Sequence, residues 1–444
     1  MIQGRRAMDR RLIAACSGVF VVALTVRLLV LATTSARLSP DTFEYTAIGK
    51  NIRTHGSFSV DTSPPRTPTI RRAPIYPLFL AAIGGPGGEL STDRVRLCQC
   101  FLDSLLSVVI CLLVWNHVRH RWAVAAALLY SFHPGAVAYA NSILAESLFA
   151  FLFTVSIGAL VLAITRDKLG WAVAAGALIG LATLCRPVAA PFFVVAVGVM
   201  FLSRKAIARP LRLASLFCAA SVLTMAPWVI RSSALAGQFV LASFKGPVNL
   251  YLATLPSSSW DLNDQASLFE APQWLADPCS NALGSCHTAV ECAQADDICE
   301  RGAIANLRGN VGYYLRNRLR QVVHFPLTSF DFVTRNSSSL GTALRQREYR
   351  VLATKLFLYG LFAFTPLVFG SGGLMFGPAT FGKRLCGAAW VYTILIYLPG
   401  FVEYRYFLPA VPVLLATSPY GFEWVDGRLR AAAMRLRRDQ PARG

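Results

Sequence analysis

Asp41 and Glu44 lie three residues apart in "SPDTFEYTAIGKNI", on one face of a helix if that stretch is helical, with Tyr45 beside them. Further on, isolated polar residues stand at the edges of long apolar runs. They are Glu146 in "YANSILAESLF", Arg186 in "LCRPVAAP", Arg231 in "APWVIRSS", and Glu403, Tyr404, Arg405 and Tyr406 in "GFVEYRYFLPAVP". Lys245 follows in "SFKGPVNLY", at a Gly-Pro turn. A carboxylate can act as a general base, and the planar fork of arginine makes paired, charge-assisted hydrogen bonds to phosphate. Together they suit removal of a proton from one substrate while a phosphate on another is held. Each residue also has a plain structural reading: solvated carboxylates on an interfacial helix, helix-end arginine anchors, a turn lysine.

The elements that must position these residues are membrane helices. The chain has 444 residues, of which 55% are hydrophobic and only 15% charged, with a mean hydropathy of +0.49. Such a composition excludes an ordinary soluble enzyme. Taking about 20 apolar residues per span, ten spans are expected, near 12–34, 97–117, 122–138, 143–164, 169–186, 188–203, 211–232, 351–370, 385–401 and 406–424. The basic start "MIQGRRAMDRR" ahead of the first span reads as an uncleaved signal anchor.

Charge gives the sidedness. The net charge is +20, and its carriers fall mostly in short clusters between spans, which points to topology and anionic headgroups and away from nucleic acid. With the N-terminus in the cytoplasm, Arg119 and Arg121, Arg166 and Lys168, Arg204, Lys205 and Arg209, and Lys383 and Arg384 are all inside, as is the basic tail "GRLRAAAMRLRRDQPARG". The candidate site residues then share the outer face. Three regions are expected: residues 1–232 as a transmembrane module with a first outer loop at 35–96, an extracytoplasmic region at 233–350, and C-terminal spans with a cytoplasmic tail at 351–444. Within the outer region "VGYYLRNRLRQVVHF" reads as interfacial.

Cys279, Cys286, Cys292 and Cys299 cluster in that outer region. In an oxidising compartment they suggest two disulfides, with three pairings open. A zinc site including His287 is the rival, although the ligand spacing lacks the usual short knuckle. Arg27 lies within the first span and either reaches the outer surface or pairs internally. "GALIG", with Gly176 and Gly180, is a weak helix-packing signal, and "GSGG" at 370–373 reads as a helix stop. There is no P-loop, HExxH or GxSxG.

The stretch "SPDTFEYTAIGKNIRTHGSFS" followed by "RRAPIYPLFLAAI" resembles the first outer loop of the GT-C superfamily of integral membrane glycosyltransferases. It is closest to the bacterial branch related to protein O-mannosyltransferases and lipid A aminoarabinose transferases. The resemblance continues in order through "HPGAVAYANSILAESLFAFLF", "GLATLCRPVAAPFF", "MAPWVIRSSALAGQFVLAS", "GPVNLYLAT" and "VEYRYFLPAVPVLL". It implies an all-α, multi-pass GT-C bundle in the cell (inner) membrane, with an extracytoplasmic site that takes a sugar from a polyprenyl-phosphate donor. The acceptor would be a lipid, glycan or protein of the cell envelope.

By the same resemblance Asp41 is the acid of the first loop that activates the acceptor, and Glu146 the second acidic position. Arg405, Arg231, Arg186 and Lys245 are candidates for the donor phosphate, with Glu44, Tyr45 and Glu403 supporting them. Relatives carry adjacent acids where Asp41 and Glu44 are separated by "TF", which leaves a divalent metal cofactor open. The cysteine-rich insert is outside the general pattern. The rival class is a transporter or flippase of lipid-linked sugars, expected to show polar residues near mid-bilayer and related halves; here polar residues are read at one face and no repeat is visible.

Overall fold

The computed structural model describes residues 10–36, 39–85, 89–243, 246–255, 277–286, 288–324, 340–400 and 404–438. The regular elements among them are helical. The bundle begins with α1 (Arg10–Thr33), followed by α2 (Pro40–His55), α3 (Ile75–Ile83), α4 (Thr92–Val114), α5 (His120–Ser131) and α6 (Pro134–Ala140). It continues with α7 (Glu146–Thr165), α8 (Leu169–Cys185), α9 (Phe192–Leu202) and α10 (Pro210–Ala236). Next come α11 (Gly246–Thr254), α12 (Pro278–Ser285) and α13 (Ala289–His324). The chain closes with α14 (Leu340–Arg345), α15 (Tyr349–Tyr359), α16 (Thr365–Met375), α17 (Phe381–Tyr397) and α18 (Ala410–Arg438).

Among the described residues, five helices or continuous helical runs are long and apolar enough to cross a membrane, and six if the pair α5 and α6, bent by 53°, counts as one span. The expected ten are not confirmed among these residues. The segments near 169–186, 188–203 and 385–401 are helices of 17, 11 and 17 residues. At 1.5 Å per residue even 17 residues rise only about 25 Å, short of the roughly 30 Å hydrocarbon core.

Helix α7 is the centre of the bundle, buried along most of its length. By contrast α1 buries only Val19, Ala23 and Arg27, a single stripe four residues apart, as befits a helix at the rim. Small residues set the tightest seams. A Cβ on Gly176 would lie 2.2 Å from the Phe217 carbonyl oxygen, and one on Gly180 would lie 2.8 Å from Thr224 Cβ, so α8 and α10 approach backbone to backbone. The "GSGG" segment is not a helix stop. It lies inside α16, where a Cβ on Gly373 would meet the Thr417 carbonyl oxygen of α18 at 2.0 Å, and Gly421 faces Phe369 equally closely.

Arg27 pairs internally. Its guanidinium meets Asp103 at 2.5 Å with neither side chain exposed, and Asp103 also accepts the Tyr130 hydroxyl at 2.6 Å. Arg27 donates further to the Ala23 and Ser131 carbonyls. Polar groups are therefore not confined to one face, as the sequence suggested. This second set is fully enclosed and pins α1 to α4 and α5.

Candidate active site

Helix α2 carries the first carboxylates. Ser39 caps it in a capping box with Thr42, Pro40 occupies its first turn, and Gly56 ends it in the left-handed region at φ 64°. The Thr42 hydroxyl donates to the Ile143 carbonyl at 3.1 Å, tying α2 to the turn that precedes α7. Arg53 donates to the Ala81 and Gly85 carbonyls and so fixes α2 against α3. Between α2 and α3 the chain returns to the site with Arg71 and Arg72.

These elements bring five of the sequence-predicted residues, Asp41, Glu44, Glu146, Arg186 and Arg405, into one array of alternating charge. Arg72 bonds Glu44 through Nε and Asp41 Oδ1 through Nη2, the latter at 2.5 Å. Arg405 Nη2 donates to Asp41 Oδ2 at 2.9 Å, and its Nε lies 3.6 Å from Glu146 Oε1. Arg186 Nη1 donates to the same Glu146 oxygen at 2.7 Å. Arg71 adds a contact to Glu44 at 3.5 Å. The array thus runs Glu44, Arg72, Asp41, Arg405, Glu146, Arg186, with Asp41 gripped on both oxygens.

Glu146 opens α7 and is only 2% exposed, and its Oε2 has no hydrogen-bond partner among the described residues. Arg186, at the end of α8, lies over the Tyr406 ring at 4.8 Å, and Arg405 lies 5.5 Å from the same ring. Arg72 covers Tyr45 at 4.8 Å, and Tyr45 packs edge-on against Tyr76. Burial pushes the Tyr45 phenol up to about 12, with the Arg72 charge opposing. Burial works against the charge on Arg72, but Asp41, Tyr45 and Glu44 outweigh it and its pKa is raised.

Other expected residues stand apart. Arg231 is half-buried on the rings of Trp228 and Phe58, at 4.6 and 5.4 Å, and reaches the Thr69 carbonyl at 3.5 Å; no ion pair joins it to the array among the described residues. Lys245, Glu403 and His287 lie outside the described residues. Cys279 and Cys299 form a disulfide, and the Cys286 and Cys292 sulfurs lie 2.7 Å apart, nested within it. Among the described residues no three His, Cys, Asp or Glu side chains are grouped to hold a metal ion. Asp41 and Glu44 face arginines, a cationic setting that does not fit a divalent ion.

Sequence reading missed Arg71, Arg72 and Asp103. The doublet Arg71-Arg72 stood in the quoted "RRAPIYPLFLAAI", but a basic pair in a loop reads first as solvated, and only its burial beside α2 calls for carboxylates. Asp103 sits alone in an apolar run and finds its partner only through the packing of α1 on α4.

Residues 71–230 match the family model described as dolichyl-phosphate-mannose-protein mannosyltransferase. No curated protein matches the chain by sequence. Among solved structures, the archaeal oligosaccharyltransferase AglB from Archaeoglobus fulgidus, in complex with an inhibitory peptide and a dolichol-phosphate, is similar with a TM-score of 0.54 at 15% identity. That match covers 98% of this chain and 52% of that one. The Archaeoglobus fulgidus oligosaccharyltransferase in the apo form gives 0.54 at 14% identity, covering 96% and 52%. ArnT from Cupriavidus metallidurans in the apo state gives 0.42 at 14% identity, covering 92% and 78%. The chain spans about half the length of the two oligosaccharyltransferases. At these identities the likeness to the oligosaccharyltransferase structures is one of fold.

Proposed function

We propose, from the GT-C fold shared with these structures, that this multi-pass membrane protein is a glycosyltransferase that moves a sugar from a polyprenyl-phosphate donor to an acceptor nucleophile. The observation that carries this reading is the alternating array around Asp41. Asp41 is held on both oxygens, by Arg72 and by Arg405. A donor phosphate arriving beside it competes for Arg405 and Arg186, because arginine pairs bidentately with phosphate. With Arg405 drawn to the phosphate, one oxygen of Asp41 is left to take the acceptor's proton.

In this mechanism Asp41 takes the proton from the acceptor hydroxyl as that oxygen attacks the anomeric carbon. The bond from carbon to phosphate oxygen breaks, and the electron pair leaves with polyprenyl phosphate, whose charge the arginines stabilise. Phosphate is a good leaving group, so one base suffices and no acid is required, in contrast to a two-carboxylate hydrolase. Glu146 holds Arg186 at 2.7 Å and lies 3.6 Å from Arg405, so it gathers the two arginines proposed to meet the phosphate. Arg231, stacked on Phe58 and Trp228, and Lys245 are proposed to serve the donor from the rim.

The cationic loops support an orientation with the site on the extracytoplasmic face of the inner membrane and both termini in the cytoplasm. Arg119 and Arg121 bind Asp426, and Arg209 binds Asp167, at the end of the bundle away from Asp41. The reading is tested with the full-length chain in liposomes and a panel of labelled polyprenyl-phosphate sugars, measuring release of polyprenyl phosphate with cell-envelope lipid added as acceptor. Release from one or more donors is expected. No release from any of them, by protein that is folded, overturns it.

A further inference from the structure

The extracytoplasmic helix α13 touches both segments that bring arginines to Asp41. It spans Ala289–His324 and is broken at Asn310, where the backbone leaves helical values at φ −153° and ψ 57°. The Asn310 side chain accepts from the Tyr313 amide and so caps the second half as a fresh helix. At the near end Ala289 packs with Ile70, the residue before the Arg71-Arg72 doublet. The disulfide between Cys279 and Cys299 fastens this half to α12, and Cys279 and Cys299 pack with Val248, Tyr251 and Leu252 of α11.

At the far end the second half closes on the chain just beyond α17. Arg318 is 4% exposed, and its guanidinium donates to the carbonyls of Leu398 and Gly400 and to Ala253 of α11. Tyr314 donates its hydroxyl to the Pro399 carbonyl at 2.8 Å. Three successive carbonyls at the C-terminal end of α17 are thus held from one helix, a favourable place for a cation. Arg405 follows five residues later and grips Asp41.

We infer that α13 is a brace that sets the two arginines around Asp41, and that Arg318 is a positioning residue for Arg405. The inference rests on the reading above only for its consequence in donor binding. The hydrogen bonds of Arg318 go to the carbonyls of Leu398, Gly400 and Ala253. Arg318 fixes the height of the chain from which Arg405 reaches inward, while the near end of α13 backs the loop that carries Arg72. An otherwise unexplained cysteine-rich insert thereby gains a role, since its disulfide stiffens the base of the brace.

The test uses the full-length protein in nanodiscs with the variants Arg318→Met, Arg318→Lys and Tyr314→Phe. Amide hydrogen exchange is followed at residues 404–411, and binding of undecaprenyl phosphate is measured in parallel. Arg318→Met is expected to speed exchange there by about ten-fold and to weaken binding by about ten-fold, with Arg318→Lys restoring most of both. Tyr314→Phe, which removes a single hydroxyl, gives a smaller change in the same direction and serves if Arg318→Met does not fold. Combining Arg318→Met with Arg405→Lys is expected to add less than about two-fold to the binding loss of Arg405→Lys alone, because both act through one group. Unchanged exchange at 404–411 in folded Arg318→Met, no rescue by lysine, or fully additive losses each overturn the brace. If the wild-type protein does not bind undecaprenyl phosphate, the glycosyltransferase reading fails, and the brace stands or falls on the exchange alone.

Discussion

At the scale of single residues, the array around Asp41 is a set of dependencies that substitution can expose. Arg186 is the nearest cation to Glu146, so Arg186→Leu leaves a buried carboxylate with Arg405 at 3.6 Å as its remaining array contact. A loss of about 3 kcal/mol is expected, read as a lower midpoint of thermal unfolding in detergent, and Glu146→Leu in the same chain should recover most of it. An unchanged midpoint would mean that the pair is not buried as described. Tyr45, pushed up to about 12, stays neutral across about pH 6 to 9 and cannot supply a base there. Tyr45→Phe should therefore leave the shape of the pH profile of transfer intact over that range, and a lost limb would reassign the base. Glu146, Arg186 and Arg405 stood out as isolated charges at the edges of apolar runs, and Asp41 and Glu44 as a carboxylate pair on one helix face. Arg72 stood out less, because a basic doublet in an outer loop reads first as solvated.

Helices show where local sequence misleads. "GALIG" on α8 and "GSGG" on α16 are chemically alike, yet one was read as packing and the other as a stop. Both are seams, because close approach between membrane helices depends on the absence of a side chain at a particular angular position. Gly372 and Gly373 are neighbours with opposite environments: nothing lies within 4 Å of a Cβ on the first, while a Cβ on the second meets the Thr417 carbonyl oxygen at 2.0 Å. Gly373→Ala is expected to cost about 1 to 3 kcal/mol. Gly372→Ala should be neutral or stabilising by up to about 1 kcal/mol. Thermal unfolding of the two variants side by side checks the seam, and equal midpoints would contradict it. The count of ten spans is not confirmed: apolar runs located the helices, but α8, α9 and α17 have at most 17 residues and α18 runs on from its apolar part into a charged tail.

On the scale of the molecule, the order of weak motifs carried more than any one of them. The helical bundle was readable from the apolar runs and basic loops, and the GT-C resemblance rested on weak motifs that follow one another in a fixed order. What could not be read is how distant segments meet: Arg27 with Asp103 across α1 and α4, Arg72 with Asp41 and Glu44, and α13 with the chain ahead of Arg405. Those contacts arise from packing between elements far apart in sequence. The central claim is that Asp41 is the base and that Arg72 and Arg405 hold it for the donor. It is tested most directly by measuring sugar transfer and undecaprenyl phosphate binding together for Asp41→Asn. Transfer is expected to fall by at least about a hundred-fold, while binding is kept or strengthened as the arginines lose their carboxylate. Transfer at the wild-type rate would contradict the claim.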